Sequence, residues 1–182
     1  MRVIAGVCRS MPLKTPKGLD TRPTTDRIKE TLFNMLQMDV PDSVFVDLFS
    51  GSGGIGIEAL SRGAKHAYFA DTDKEALSCI KDNLNFTKMS DKATVISRDA
   101  RDAVLQIHDK ADIIFMDPPY ALEIEYSIMQ VLKNAPCVTT DTLFIIEAEK
   151  DKDFTDIESL GYEIVKEKIY KTNKHVFFRL TE

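Results

Sequence analysis

Cysteine, histidine and long apolar runs are all scarce in this 182-residue chain. The three cysteines, Cys8, Cys79 and Cys137, stand far apart, and none falls in a C-x-x-C pair. An odd, scattered set excludes a disulfide framework or a thiolate zinc site and points to a reducing cytoplasm. The three histidines are scattered too and offer no metal-ligand spacing. No apolar stretch approaches the ~20 residues of a membrane-spanning helix. The opening "MRVIAGVCRSMPLK" has only a short apolar patch, too short for a signal peptide. Acidic residues exceed basic ones, for a net charge of −5, which by itself speaks against a nucleic-acid partner. The distribution says otherwise. Arg2, Arg9, Lys14, Lys17, Arg22, Arg27 and Lys29 all fall within residues 1–30, against Asp20, Asp26 and Glu30. A basic arm on an acidic body is either a phosphate-binding footprint or a solvated face.

What is present suits one domain over 1–182, since 43% hydrophobic residues can fill a compact core. Residues 1–40 read as an N-terminal extension and 41–182 as the main body. In the extension, 2–7 and 11–15 read as short strands. A helix begins at Asp26, capped by Thr24 or Thr25, with Ile28, Leu32, Met35 and Leu36 inward. After "VPDS" the chain alternates. "SVFVDL", "HAYFAD", "ATVIS", "DIIFMD" and "TLFIIEA" read as strands. "GIGIEALSRG", "DKEALSCIKDNLNF", "DARDAVLQI" and "EIEYSIMQVLKNA" read as the helices between them. "DIIFMD" is apolar without interruption, the pattern of a central parallel strand covered on both faces. "YEIVKEKIY" and "HVFFRL" flank "KTNK" as a closing hairpin. Repeated β-α units imply an α/β fold with a doubly wound, mostly parallel sheet, to which the hairpin adds an antiparallel strand.

Ligands of such sheets lie beyond the carboxyl ends of the strands. The first such end carries "DLFSGSGGIG", with Gly51, Gly53 and Gly56 spaced G-x-G-x-x-G. Glycines there allow a sharp turn and close approach of a ligand to backbone N–H groups, although similar turns also serve packing alone. Asp71 closes the second strand, 20 residues after Gly51, where a carboxylate can accept from both hydroxyls of a ribose. Dinucleotide and S-adenosylmethionine sites share that feature. Asp47 separates them, because a carboxylate repels a pyrophosphate and attracts an ammonium or sulfonium cation. Asp99, after the third strand, suits an adenine amino group or the N-cap of the next helix. The loop therefore reads as an S-adenosylmethionine site.

"DPPY", Asp117 to Tyr120, ends the central strand. Its two prolines fix φ and remove N–H donors, leaving acceptors only. The Asp117 carboxylate and the Pro118 carbonyl suit an exocyclic NH2 group, and Tyr120 offers a face for a stacked base.

With these two motifs the chain resembles the Rossmann-like class I methyltransferases that modify amino groups. More closely it is similar to the bacterial 16S ribosomal RNA guanine-N2 methyltransferases of the RsmD type. The likeness runs from "RVIAG" through "RPTTDRIKETLFNML" and "DLFSGSGGIGIEALSRGA" to "YFAD", Asp99–Ala100 and "DPPY". It implies cofactor contacts from Arg22, Thr24, Asp47, Phe49, Ser50, Gly51, Ser52, Gly53, Asp71, Thr72, Asp99 and Ala100. It implies that Asp117, Pro118, Pro119 and Tyr120 hold the target amine. Ser50 stands where the family often has alanine, and Asp71 where glutamate is commoner. The expected partner is 16S rRNA, in a small ribosomal subunit or its precursor, acted on by a cytoplasmic monomer without metal. Three rivals stay open: a DNA adenine-N6 or other amino methyltransferase, an NAD-dependent oxidoreductase, and a non-catalytic RNA-binding assembly factor.

Overall fold

The computed structural model describes residues 1–16, 25–119 and 124–181. Seven strands form one sheet: β1 (Val44–Leu48), β2 (His66–Asp71), β3 (Ala93–Ser97), β4 (Ile113–Met116), β5 (Leu143–Glu149), β6 (Tyr162–Ile169) and β7 (Asn173–Leu180). Their order is β3-β2-β1-β4-β5-β7-β6. The first five run parallel, while β7 pairs antiparallel with both β5 and β6. The doubly wound sheet and its antiparallel closing hairpin thus stand as the alternation of elements implied.

Five helices cover the sheet: α1 (Asp26–Met35), α2 (Gly54–Ser61), α3 (Lys74–Phe86), α4 (Ala100–Val104) and α5 (Glu125–Leu132). Strand alternation divides the core in two. Phe45, Phe69, Phe115, Ile145 and Phe177 face α1, α2 and α3, against Leu32, Phe33, Ile57, Leu60, Ile80 and Leu84. Val46, Leu48, Ile114, Met116, Phe144, Ile146 and Phe178 face α4 and α5, against Ala103, Val104, Ile128, Met129 and Leu132. The chain winds outward from β1 through β2 to β3, then restarts at β4 on the other side. The crevice above β1 and β4 is therefore the switch point at which such sheets hold ligands.

Residues 1–16 depart from the expected pair of strands. Arg2 and Pro12 form an isolated antiparallel bridge, with no ladder beyond it. A few backbone bonds cross the turn (Val3 N–H to the Met11 carbonyl, Ser10 N–H to the Val3 carbonyl and Leu13 N–H to the Met1 carbonyl), and the N–H groups between them turn to α2. Glu58 of α2 is fully buried, and its carboxylate accepts from Ile4 N–H (2.8 Å) and Ala5 N–H (3.0 Å). Ser61 accepts from Val7 N–H through its carbonyl and from Cys8 N–H through its hydroxyl. Gly6 is needed at that approach: its φ is +82°, and a Cβ would sit 1.8 Å from the Ser61 carbonyl oxygen.

Helix α1 starts where expected, with the Thr25 hydroxyl accepting from Ile28 N–H. Its buried stripe is Lys29, Leu32, Phe33 and Leu36, rotated from the expected face. Lys29 is the surprise, 1% exposed. Its Nζ donates to the Arg2 carbonyl (2.6 Å) and lies 3.5 Å from Glu58 Oε2. Arg62 completes the cluster, bonding Glu58 Oε1 at 2.8 Å and lying over the Phe33 ring. No helix among the described residues is long and apolar enough to cross a membrane.

Candidate active site

One cavity of about 570 Å³ opens at the carboxyl ends of β1, β2 and β4, a size suited to a small ligand. Asp47, Phe49, Ser50, Gly51, Ser52, Asp71, Thr72, Asp99, Ala100, Asp117 and Pro119 all line it. Most of the expected cofactor residues, with Asp117 and Pro119 of the expected amine-binding strand end, are thus brought to one place. Gly53 and Pro118 are not on its wall. Arg22, Thr24 and Tyr120 lie outside the described residues.

Asp47 sits at the end of β1, 1% exposed, and its Oδ2 accepts from Gly56 N–H at 3.0 Å. Burial raises its carboxyl to about 7, the Gly56 N–H opposing and the charge of Asp71 adding to the rise. No cation is paired with it among the described residues. A carboxylate under that tension offers a place for a cationic ligand group, and none for a phosphate.

The loop after Asp47 is strained and then locked. Phe49 has φ +62°, uncommon for an aromatic residue, and Gly51 and Gly53 follow at +54° and +78°. A Cβ at Gly51 would meet nothing within 4 Å, so the loop there borders open cavity. Gly53 caps α2 and packs near Ile80 and Phe69. At Gly56 a Cβ would fall 2.3 Å from Phe69 Cε1, so this third glycine lets α2 lie close on β2. Ser50, expected on the cofactor, uses its hydroxyl internally, donating to the Asp47 carbonyl at 2.6 Å. The Ser52 hydroxyl lies 3.1 Å from the Met1 sulfur.

Asp71 holds the loop as well as facing the cavity. Its Oδ2 accepts from Gly51 N–H (2.8 Å) and its Oδ1 from Asp73 N–H (2.9 Å). A carboxylate has about four acceptor sites, so capacity for ribose hydroxyls is left. Asp99 takes the N-cap role expected of it, accepting from Arg101 N–H (3.0 Å) at the start of α4, and also faces the cavity. The Arg101 guanidinium, 2.9 Å away, holds its carboxyl below the usual range.

At the far wall Asp117 is half-buried. Burial first, then the charges of Glu147 and Asp47, push its carboxyl well above the usual carboxylate range. Lys29 lines the same cavity, and burial lowers its ammonium despite Glu58.

Sequence reading missed this Lys29–Glu58–Arg62 cluster, counting Lys29 with the surface charges. The single acid inside the apolar run "GIGIEALS" was the available signal. Reading also missed Asn83, whose side chain bonds the Lys14 N–H and carbonyl and the Ser52 carbonyl, tying the N-terminal segment to the glycine loop. The basic arm is thinner than its composition suggests. Arg2 pairs with Asp26 and Lys14 with Asp82, both at 2.8 Å, while Arg9 and Arg27 are exposed. No cluster of metal-ligating side chains occurs among the described residues.

The family model for conserved hypothetical protein 95 matches residues 1–179. The ribosomal RNA small subunit methyltransferase D of Haemophilus influenzae is 36% identical, covering 99% of this chain and 92% of its own. The Escherichia coli K12 protein of the same name is 33% identical over 82% of this chain and 75% of its own. Among solved structures, an E. coli protein described as a methyltransferase superposes with a TM-score of 0.84 at 29% identity, covering 100% and 98% of the two chains. An H. influenzae protein described as a methylase gives 0.81 at 32% identity, over 100% and 99%.

Proposed function

Because the chain belongs to the conserved hypothetical protein 95 family, the RsmD family, we propose that it methylates the exocyclic N2 amine of a guanine in 16S rRNA. S-adenosylmethionine is the proposed methyl donor and a ribosomal small subunit, or its precursor, the proposed setting. A cytoplasmic monomer with a 1–40 extension on a 41–182 core is the form we assign to it. The observation that carries this reading is the placement of the buried Asp47 and the half-buried Asp117 on one cavity, with no cation paired to Asp47 among the described residues.

The residues fit the cofactor on its chemistry. Asp47 suits its ammonium and sulfonium charges, Asp71 the ribose hydroxyls and Asp99 the adenine amine. Phe49, Thr72 and Ala100 supply wall. The segment holding Arg22 and Thr24 is assigned to close over it. When bound, the cofactor supplies an electrophilic methyl group. The protein's own task is alignment. A guanine amine is a poor nucleophile because its lone pair is delocalised into the ring. Acceptors at Asp117 and the Pro118 carbonyl hold its two hydrogens and turn the lone pair outward. Most of the acceleration then comes from fixed geometry and fixed dipoles. Tyr120 is assigned to stack on the base, which must leave its helix to enter.

The test is transfer of labelled methyl groups to ribosomal particles lacking the modification, followed by nucleoside analysis. N2-methylguanosine is expected, and N6-methyladenosine or no label would refute the assignment. Arg9 and Arg27 are the exposed cations of the described arm that make no ion pair among the described residues, so their joint neutralisation should reduce the salt dependence of RNA binding. An unchanged slope would make them part of a solvated face.

A further inference from the structure

Beside Asp117 lies a second carboxylate, Glu147, that the amine clamp does not employ. Met116 of β4 pairs with Ile146 of β5, and Glu147 pairs with His175 of β7. One step further along β4, Asp117 comes level with Glu147. Glu147 Oε1 accepts from Asn173 Nδ2 at 2.6 Å, and Oε2 lies 3.1 Å from His175 Nε2. On the other side of the ring, His175 Nδ1 lies 3.2 Å from the Tyr170 hydroxyl. The ring is held edge-on to Phe115, with centroids 5.9 Å apart. Burial, and after it the charge of Glu147, pushes Tyr170 up to about 12, so the phenol keeps its proton and donates it to Nδ1. In the tautomer in which Tyr170 donates to Nδ1, His175 Nε2–H donates to Glu147. Both Glu147 oxygens thus face hydrogen-bonding partners that hold the carboxylate in place.

We infer, on the premise of the amine methylation proposed above, that Glu147 is a positioning residue: Asn173 and His175 fix its charge beside Asp117, which takes the proton shed by the target nitrogen. As nitrogen bonds the methyl carbon, the electron pair of the broken carbon–sulfur bond stays on sulfur. Nitrogen is left with one proton too many. That proton moves to an Asp117 oxygen and leaves to solvent with product release. The groups around Asp117 are Asp47 on β1, Glu147 on β5, His175 and Tyr170 behind Glu147, and Lys29 of α1 on the cavity wall. Two anions and burial make Asp117 a better proton acceptor than an ordinary carboxylate. Removing one anion should make it a poorer one.

Carbon-13 NMR of the side-chain carboxyls in the free protein reads this directly, with Asp117 assigned by its loss in Asp117→Asn. In Glu147→Gln the Asp117 midpoint should fall by about one pH unit or more, while cofactor affinity is retained. The glutamine is isosteric, and a change of His175 tautomer can accommodate its amide. His175→Gln, which still donates to Glu147, should keep the Asp117 midpoint near that of the parent. In single-turnover methylation the acid limb of the pH–rate profile should move to lower pH in Glu147→Gln. A parent protein inactive on every RNA amine would overturn the proposed function and this inference with it. A parent that methylates, with an Asp117 midpoint unmoved by Glu147→Gln, overturns this inference alone.

Discussion

Binding of a cationic cofactor should expel a proton from Asp47, and that proton can be counted. Burial holds the Asp47 carboxyl at about 7 in the empty cavity. An ammonium or sulfonium seated beside it favours the charged form and pulls the value down. Below about pH 7 the free protein therefore carries a proton that the complex sheds, and affinity should fall about tenfold for each further pH unit. At about pH 6 the ligand's own amino group, with a pKa of about 8, is already protonated and does not confuse the count. Calorimetry there, in buffers of different ionisation enthalpy, should find nearly one proton released. Asp47→Asn keeps an acceptor for the Gly56 N–H, and should bind the cofactor more weakly with no proton release. The same substitution should stabilise the empty protein in alkali. Raising a carboxyl from 3.8 to about 7 costs the fold about 4 kcal/mol once it is ionised, taking 1.36 kcal/mol per pH unit. The folded state binds more protons than the unfolded one between about pH 4 and 7, so this cost appears as pH rises through that window. Asp47→Asn should accordingly raise the denaturation midpoint at pH 8 and change it little at pH 4. Affinity that is flat below about pH 7, or an Asp47→Asn protein weaker than its parent at pH 8, would refute the reasoning.

Three further outcomes are expected. Asp117→Ala should bind cofactor normally yet transfer methyl groups at least about a hundredfold more slowly, because a misaligned amine forfeits positioning; Tyr120→Ala should lose activity where Tyr120→Phe keeps it, and normal turnover in Asp117→Ala would end the clamp account. Glu58→Gln should lower stability to urea by about 3 kcal/mol, since it leaves Lys29 and Arg62 without their anion; a loss under about 1 kcal/mol would show the cluster to be inert. Gly56→Ala should cost about 1–3 kcal/mol through overlap with Phe69, and Phe69→Leu in the same chain should recover part of it; absence of any cost would mean that α2 moves freely on β2.

Periodicity carried most of the fold. β1, β2, β4 and β5 are short apolar runs between turn signals, and their order along the chain dictates a parallel sheet once a right-handed crossover is assumed. The glycine loop and "DPPY" were legible for the same reason, since each lies at a strand end. Residues 2–7 were misread because alternation cannot tell whether a backbone N–H finds a strand or a side chain. Here Val3 N–H finds Met11 across the turn, while Ile4, Ala5 and Val7 find Glu58 and Ser61. Lys29 was misread because a lysine on an amphipathic helix is almost always outside, and only the buried Glu58 opposite makes the exception tolerable. The pairing of Glu147 with His175 was out of reach from sequence, because it depends on β7 entering the sheet beside β5 before β6 does.

That insertion also orders the events of folding. β6 precedes β7 in the chain, yet its only strand partner among the described residues is β7, which separates it from β5. During synthesis β6 emerges before the strand it pairs with. It must wait as an unpaired ribbon, with Tyr162, buried in the folded chain, still uncovered, until β7 arrives and docks between it and the finished parallel strands. Nascent chains arrested between these two strands should therefore be the ones most apt to recruit chaperones or to aggregate.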